Sequence, residues 1–398
     1  MKQKVLFSDL YRLNFARIKG DLYSNHDDFI VQESLKYRVY PSISFEQLQK
    51  PLGKRKPYVV CVLVKKGIST FNAIRTIAIH MGISEEEIRY HGLKDTFGLT
   101  AQRISFPSPI FLTKFKDLKR KEFKDFFLKE AVYSKYPCEI RKIWGNHFKV
   151  TIKEVDSKKV IKTLDTLKGL IKKGIPSFYG HQRFGARQDN HLIGKQLILG
   201  NYDLALRLFC LNSCNESKKR AKIRGELSRL WTDWDRCLDV LNKSDSMKDE
   251  KEIISHLVSH PSDYLGAINK TPLTNFFIGS YSSYLFNLVL LEILKDKKRV
   301  KNLPLPGYKT LLRDKYIRNK YLKILKAEGI KIKQFFNKEH KELCYPGRIR
   351  QAFYNISDLK YKLKKKNLIL EFSLPMGVYA NLFLNNVIKN KLKDEKLE

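Results

Sequence analysis

Asp95 is the residue whose neighbours best suit it to chemistry. The run His91-Gly92-Leu93-Lys94-Asp95-Thr96-Phe97-Gly98-Leu99-Thr100-Ala101-Gln102 sets a carboxylate between glycines, behind Lys94 and ahead of Thr100 and Gln102. An aspartate in a glycine-flanked loop is most often a turn residue, because its short side chain bonds local backbone. As a reactive group it offers an ionised oxygen at neutral pH, since its ordinary pKa is about 3.9. Burial raises that value and a nearby cation lowers it again, so a working carboxylate needs a positive partner. A protonated Asp95 would be inert. In an extended segment Lys94 faces away from Asp95, which suits a phosphate contact or a distant ion pair better than proton chemistry. Thr100 and Gln102 are expected to hold the loop by hydrogen bonds.

The flanking pattern supplies a rigid support for such a group. Tyr58 to Val64 is β-branched and aromatic and reads as a buried strand. Thr70 offers a helix N-cap. Phe71, Ile74, Ile77, Ala78 and Met81 then recur at helical spacing, and Gly82 ends the run. Ser84 and Glu87 read as a capping box, and Arg103 to Phe106 as the strand after the loop. Phe148 to Ile152 and Leu368 to Phe372 are further strand candidates. From about residue 178 to 345 the pattern is mainly helical and heavily charged. Strands at both ends of a helical middle imply an α+β domain interrupted by an insert. Asn390 to Glu398 reads as a polar tail.

With 398 residues the chain is too long for one ordinary core. A hydrophobic content of 43% with 12% aromatics excludes a disordered chain. Lys+Arg 77 against Asp+Glu 41 leaves +36, which points to a polyanionic partner. No secretory segment is legible in Met1 to Gly20. Tyr284 to Leu294 is short, contains Asn287 and Glu292, and reads as a buried helix, not a membrane span. That favours nucleic acid as the partner, the alternative being a lysine-biased genome with no such meaning. The six cysteines form no C-x-x-C pair, which suits reduced thiols and a cytoplasmic location. His340-Lys341-Glu342 spells the H-x-E of zinc deaminases, but no P-C-x-x-C follows it. The chain also lacks a G-x-x-x-x-G-K-[ST] loop and a G-x-G-x-x-G fingerprint, against NTP-driven or dinucleotide-dependent chemistry.

Several segments, in order, resemble the TruD family of tRNA pseudouridine synthases. Gly92 to Gln102 matches G-x-K-D-x-x-x-x-T-x-Q, and Asp28-Phe29-Ile30-Val31-Gln32-Glu33 resembles P-E-D-F-x-V-x-E. Gly145-Asn146-His147-Phe148 resembles G-N-x-F, and Pro176 to Gly185 resembles P-N-Y-F-G-x-Q-R-F-G. Leu374 to Ala380 resembles the closing L-P-x-G-S-[FY]-A-T, and Ser280 to Asn287 and Pro304 to Tyr308 look like insert segments. Each motif is weak alone; their shared order is the specific signal.

The resemblance implies a pseudouridine synthase catalytic domain, with a mixed, mostly antiparallel sheet and flanking helices, over 1–175 plus 346–398. It implies an inserted, mainly helical TRUD domain over 176–345. Asp95 would be the catalytic aspartate. Asn146 would bond the base edge, and Phe29, Phe148 and Tyr379 would enclose a flipped uridine, the family's usual target being position 13 of tRNA; taken singly, Phe29 and Phe148 read as core aromatics. Lys94, Thr100, Gln102 and Arg183 would support them; the alternative for Gln182 to Gly185 is a purely structural run, with Arg183 pairing a buried carboxylate and Gly185 at a helix or turn boundary. No metal, cofactor, membrane or obligatory protein partner is expected. Flipping costs a few kcal/mol, and aromatic stacking returns about 1–3 kcal/mol per base. The Lys/Arg excess would contact phosphates, with a salt slope of about −0.7 per phosphate neutralised.

Some positions depart from the family pattern. Tyr23 stands where a lysine, a candidate partner for the aspartate, is usual, and His26 stands for the proline. Lys19 can serve instead only if the loop is lengthened. Asn381 replaces a threonine, and Asn385-Asn386 replaces Arg-Glu. These departures fit a divergent or reduced member, and they motivate an alternative: a non-catalytic RNA-binding or RNA-chaperone protein that keeps the fold.

Overall fold

The computed structural model describes residues 17–36, 39–138, 143–244, 246–271 and 273–389. The expectations for the N-terminus before residue 17 and for the polar tail lie outside these. The chain divides into two compact units: one holds Leu13–Ile175 with Tyr354–Glu398, the other Pro176–Phe353. The second unit therefore runs past residue 345, because a strand at Arg348–Gln351 pairs back on Asn302–Leu305 within it.

The first unit carries β1 (Phe29–Leu35), β2 (Tyr58–Lys66), β3 (Arg89–Tyr90), β4 (Leu99–Pro107), β5 (Phe126–Ser134), β6 (Ile143–Ile152), β7 (Ser357–Lys364) and β8 (Asn367–Pro375). Its main helices are α1 (Thr70–Met81), α2 (Ser108–Arg120), α3 (Ser157–Lys173) and α4 (Ala380–Val387). Among the described residues the strands form one sheet in the order β7-β8-β6-β1-β4-β2-β5, with β3 on β4. Every pairing is antiparallel except β1 with β4, where Ile30, Val31 and Gln32 face Leu99, Thr100 and Ala101. At this parallel junction the turn before β1 and the loop before β4 enter from the same end of the sheet.

The near-continuous apolar run of β2 follows from cover on both faces. Val59, Cys61 and Leu63 pack under α1 and α2 with Ala73, Ile74, Ile77 and Phe111. Val62 and Val64 face the other way, against Ile43 and Phe127. On the other half of the sheet, Val160, Leu164 and Leu167 of α3 and Phe383, Leu384 and Val387 of α4 bury Phe148, Val150 and Phe372.

Two local expectations are corrected. Ser69, not Thr70, caps α1, accepting from the Asn72 N–H. Thr70 is the first helical residue and turns inward; Phe71, roughly 100° further round the helix, is therefore exposed instead of joining the stripe. Ser84 caps the short 3-10 turn Glu85–Glu87 through the Glu86 N–H, without the expected box: Glu87 Oε2 has no hydrogen-bond partner.

In the second unit the long helix Thr274–Lys295 is apolar and long enough to cross a membrane by composition, but 78% of its most apolar stretch is buried within the protein. Asn287 on this helix accepts from the Tyr179 N–H and donates to the Tyr179 carbonyl, both at 2.9 Å. Ser282 donates to the Pro306 carbonyl at 2.8 Å, and Tyr321 donates to that of Pro304. The matched segments of the insert thus bond to one another.

Candidate active site

The loop 91–98 doubles back along β4 before joining it. Tyr90 pairs with Ile104, and the chain enters β4 only at Leu99. Gln102 holds the intervening turn: its Nε2 donates to the Gly92 carbonyl at 3.4 Å. The Thr70 hydroxyl accepts from the Lys94 N–H at 3.1 Å and donates to Gln102 Oε1 at 3.0 Å. The expected bracing therefore falls to Gln102 and Thr70. Thr100 Oγ1 is buried with no hydrogen-bond partner.

Gly98 closes the loop where only glycine fits. Its φ is +131°, and a Cβ there would lie 2.6 Å from the Phe29 carbonyl oxygen. Its N–H donates to His26 Nδ1 at 3.3 Å. The result fastens the Asp95 loop to the start of β1. Asp95 itself is exposed, and its main-chain carbonyl accepts from Lys65 Nζ at 2.6 Å.

The Lys94 side chain is largely buried, with Nζ 3.6 Å from Glu33 Oε1. Arg103 lies 4.0 Å from the other oxygen of Glu33, which also accepts from the Arg103 N–H at 3.1 Å. Burial pulls the Arg103 guanidinium down and Glu33 opposes that. Across β6, Glu33 faces Asn146. The Asn146 Oδ1 is buried and has no hydrogen-bond partner, an uncommon state that calls for a ligand or an explanation. Gly145, beside it, is required because a Cβ would strike the Leu374 carbonyl oxygen of β8.

The aromatic residues divide in a way the motifs do not indicate. Phe29 and Phe148 are 2% and 3% exposed, with ring centroids 6.1 Å apart, and Phe148 stacks on Phe372 at 5.3 Å. Both are core rings, not open faces. Tyr23, Phe97 and Tyr379 are half-buried. Tyr23 lies 4.9 Å from Phe29 and edge-on to Phe97 at 5.3 Å, and Phe97 meets His26 at 4.5 Å. Tyr379 occupies the N-cap position of α4.

Sequence reasoning missed Phe97, Glu33 and, above all, Lys65. The signal for Lys65 was available: counting by twos along β2, Val59, Cys61 and Leu63 lead to Lys65 on the inward face. Its side chain is 1% exposed. Burial pushes its ammonium down to about 8, against the Asp95 carboxylate, which pulls it up; Lys94 adds to the lowering.

Arg183 belongs to the second unit, where its Nε donates to Ser283 Oγ at 3.0 Å and its guanidinium lies 4.8 Å from the Phe276 ring centre. Gly185, with φ +81°, ends the short helix His181–Phe184. His340 Nδ1 sits 3.4 Å from Glu342 on an exposed turn, and among the described residues no three His, Cys, Asp or Glu side chains gather as a metal site.

The family model for tRNA pseudouridine synthase D (TruD) matches residues 7–303 and 291–387. The chain belongs to the TruD family. It is accordingly a tRNA pseudouridine synthase, an isomerase. A probable tRNA pseudouridine synthase D from Methanosarcina acetivorans is 26% identical, with 97% of this chain and 96% of that one covered. One from Nanoarchaeum equitans is 28% identical over 91% and 96%. The crystal structure of a putative TruD from Methanosarcina mazei shares the fold, with a TM-score of 0.73 over 97% of this chain at 23% identity. The mixed, mostly antiparallel sheet with a helical region is the architecture of that TruD structure.

Against the TruD pattern, two of the departures meet each other. The Tyr23 hydroxyl donates to Asn381 Oδ1 at 2.8 Å, tying the turn before β1 to the first turn of α4. Tyr23 takes φ +64° to do so. Lys19 is exposed in the segment whose Ile18 bridges Ile388.

Proposed function

We propose that this TruD-family chain isomerises uridine 13 of tRNA, with Asp95 as the reacting carboxylate and the target base flipped out of its stack. In this reading the bond from ribose C1′ to uracil N1 breaks, the base turns, and C1′ bonds to C5, which releases its hydrogen as a proton while N1 takes one up. Asp95 attacks the nucleoside or deprotonates the sugar. The unpartnered Asn146 Oδ1 accepts from the uracil imide N–H. Tyr379, with Tyr23 and Phe97, offers the accessible ring faces, while Phe29 and Phe148 form the packed floor beneath. The reaction as written calls for no cofactor, and the lysine-rich surface favours the RNA backbone. A cytoplasmic location belongs to the same reading.

The observation that carries it is the presentation of Asp95: an exposed carboxylate on a loop fixed at one end to Thr70 of α1 and at the other to His26, in the turn before β1. Such fixing holds a reactive group in place without burying it. Tritium release from tRNA labelled at uridine C5 tests the proposal, with Asp95→Asn as the decisive variant. Loss of release with tRNA binding retained is expected. Wild-type protein that binds tRNA and never releases tritium would leave the RNA-binding alternative.

A further inference from the structure

We infer that Lys65 is the positioning residue of the Asp95 loop: its buried ammonium clamps the peptide that carries the carboxylate and supplies the positive charge the aspartate needs as it reacts. The second half of this rests on the function proposed above. The first half stands on geometry alone.

An ammonium buried without acceptors is costly, and it carries three donors in a compact head. Lys65 Nζ has three acceptors: the carbonyls of Ile68 at 2.9 Å, Asp95 at 2.6 Å and Lys94 at 3.4 Å. They come from the turn after β2 and from two successive peptides of the loop. The ammonium therefore pins the backbone on both sides of the Lys94–Asp95 bond, and the loop cannot shift without stranding a charge. Lys66, one residue on, points outward and pairs with Asp27 at 2.7 Å, so the strand alternation selects Lys65 for the inside.

Among the described residues, two cations near the loop are engaged with another carboxylate. Lys94 and Arg103 both converge on Glu33, and position 23 is a tyrosine bonded to Asn381. Lys65 is placed to take the part expected of a cation there. Among the described residues, the charged and titratable groups around it are Asp95 and Lys94 from the loop, with Glu33 of β1 and Arg103 of β4 beside Lys94. His26, from the turn before β1, lies against Gly67. With Lys65 held at about 8, the ammonium is present below that pH and lost above it. The rate of isomerisation should therefore fall on the alkaline side of about pH 8.

The test combines single-turnover tritium release from pH 6.5 to 9.5, tRNA affinity by filter binding, and amide hydrogen exchange over residues 91–98. Wild type is compared with Lys65→Met and Lys65→Arg. Displacement of a reacting group by about an ångström costs on the order of 100-fold. Lys65→Met should accordingly lower the rate by about that factor, keep tRNA affinity within about threefold, and speed exchange at the Lys94 and Gly98 amides. Lys65→Arg, charged throughout, should recover part of the rate and lose the alkaline fall. A Lys65→Met rate within about threefold of wild type, or loop exchange unchanged in that variant, overturns the inference. If Lys65→Met does not fold, the wild-type profile decides: a rate that stays flat to pH 9.5 sinks it. If the wild type never isomerises, the proposed function fails separately, and loop exchange still decides the clamp.

Discussion

The loop 91–98 and the segment 176–185 both resemble TruD motifs, yet they sit in different surroundings. In the first, Asp95 is exposed, and the bonds that hold the loop go to its backbone from Thr70, Gln102, His26 and Lys65. In the second, Pro176 to Gly180 are buried, and the polar partners come from the helix Thr274–Lys295: Asn287 on the Tyr179 backbone, Ser283 on Arg183, and Ser280 on the Arg183 carbonyl. One motif holds its backbone so that a side chain can stay outside. The other spends its side chains on internal fastening. Motif strength is similar in the two, so a sequence match does not distinguish chemistry from scaffolding; burial and bonding partners do.

Substitutions can break this contrast, beginning with the largest effect. Asp95→Asn should reduce tritium release by at least about 10⁴-fold, the scale of losing a reacting group. Its melting temperature and tRNA affinity should barely change, because the side chain is exposed; comparable loss of stability would mean the loop is scaffolding too. Asn287→Ala should behave oppositely. It strands two buried backbone groups, at about 1–3 kcal/mol each, so urea denaturation should report a clear loss while the rate at low temperature is kept.

Gly98→Ala lies between these, since it touches both geometry and stability. The positive φ and the close Phe29 carbonyl should cost about 1–3 kcal/mol, and the rate should drop more than the stability loss explains. Phe148→Leu sharpens the reading of the core rings. A well-packed aromatic reduced to leucine should cost roughly 1–2 kcal/mol, visible in calorimetry, with kcat/KM changed less than about threefold if the ring is floor instead of face. Tyr23→Phe is the mildest: one hydrogen bond to Asn381, about 0.5–1.5 kcal/mol, read as a small shift in the melting temperature.

Legibility tracked the range of the interactions. Strand β2 and the end of α1 at Gly82, where φ is +64°, follow from local pattern and lie where the sequence predicts. The Thr70 cap was misassigned because its hydroxyl answers to Gln102, a residue distant in sequence, and that demand turned Phe71 outward with it. Phe29 and Phe148 carry motif letters, but their burial depends on α3 and on α4, the latter reaching the sheet from the far end of the chain. Phe97 has no motif of its own; its place beside Tyr23 and His26 exists only once β1 and β4 lie parallel.

Residue order alone determined the family, the α+β class and the identity of the candidate carboxylate, because these reside in residue types and their spacing. Tertiary structure decided which cation serves that carboxylate, which aromatics are reachable and which polar atoms lack partners. Those properties arise from desolvation and from contacts between strands far apart in the chain, and neither is set until the sheet is assembled.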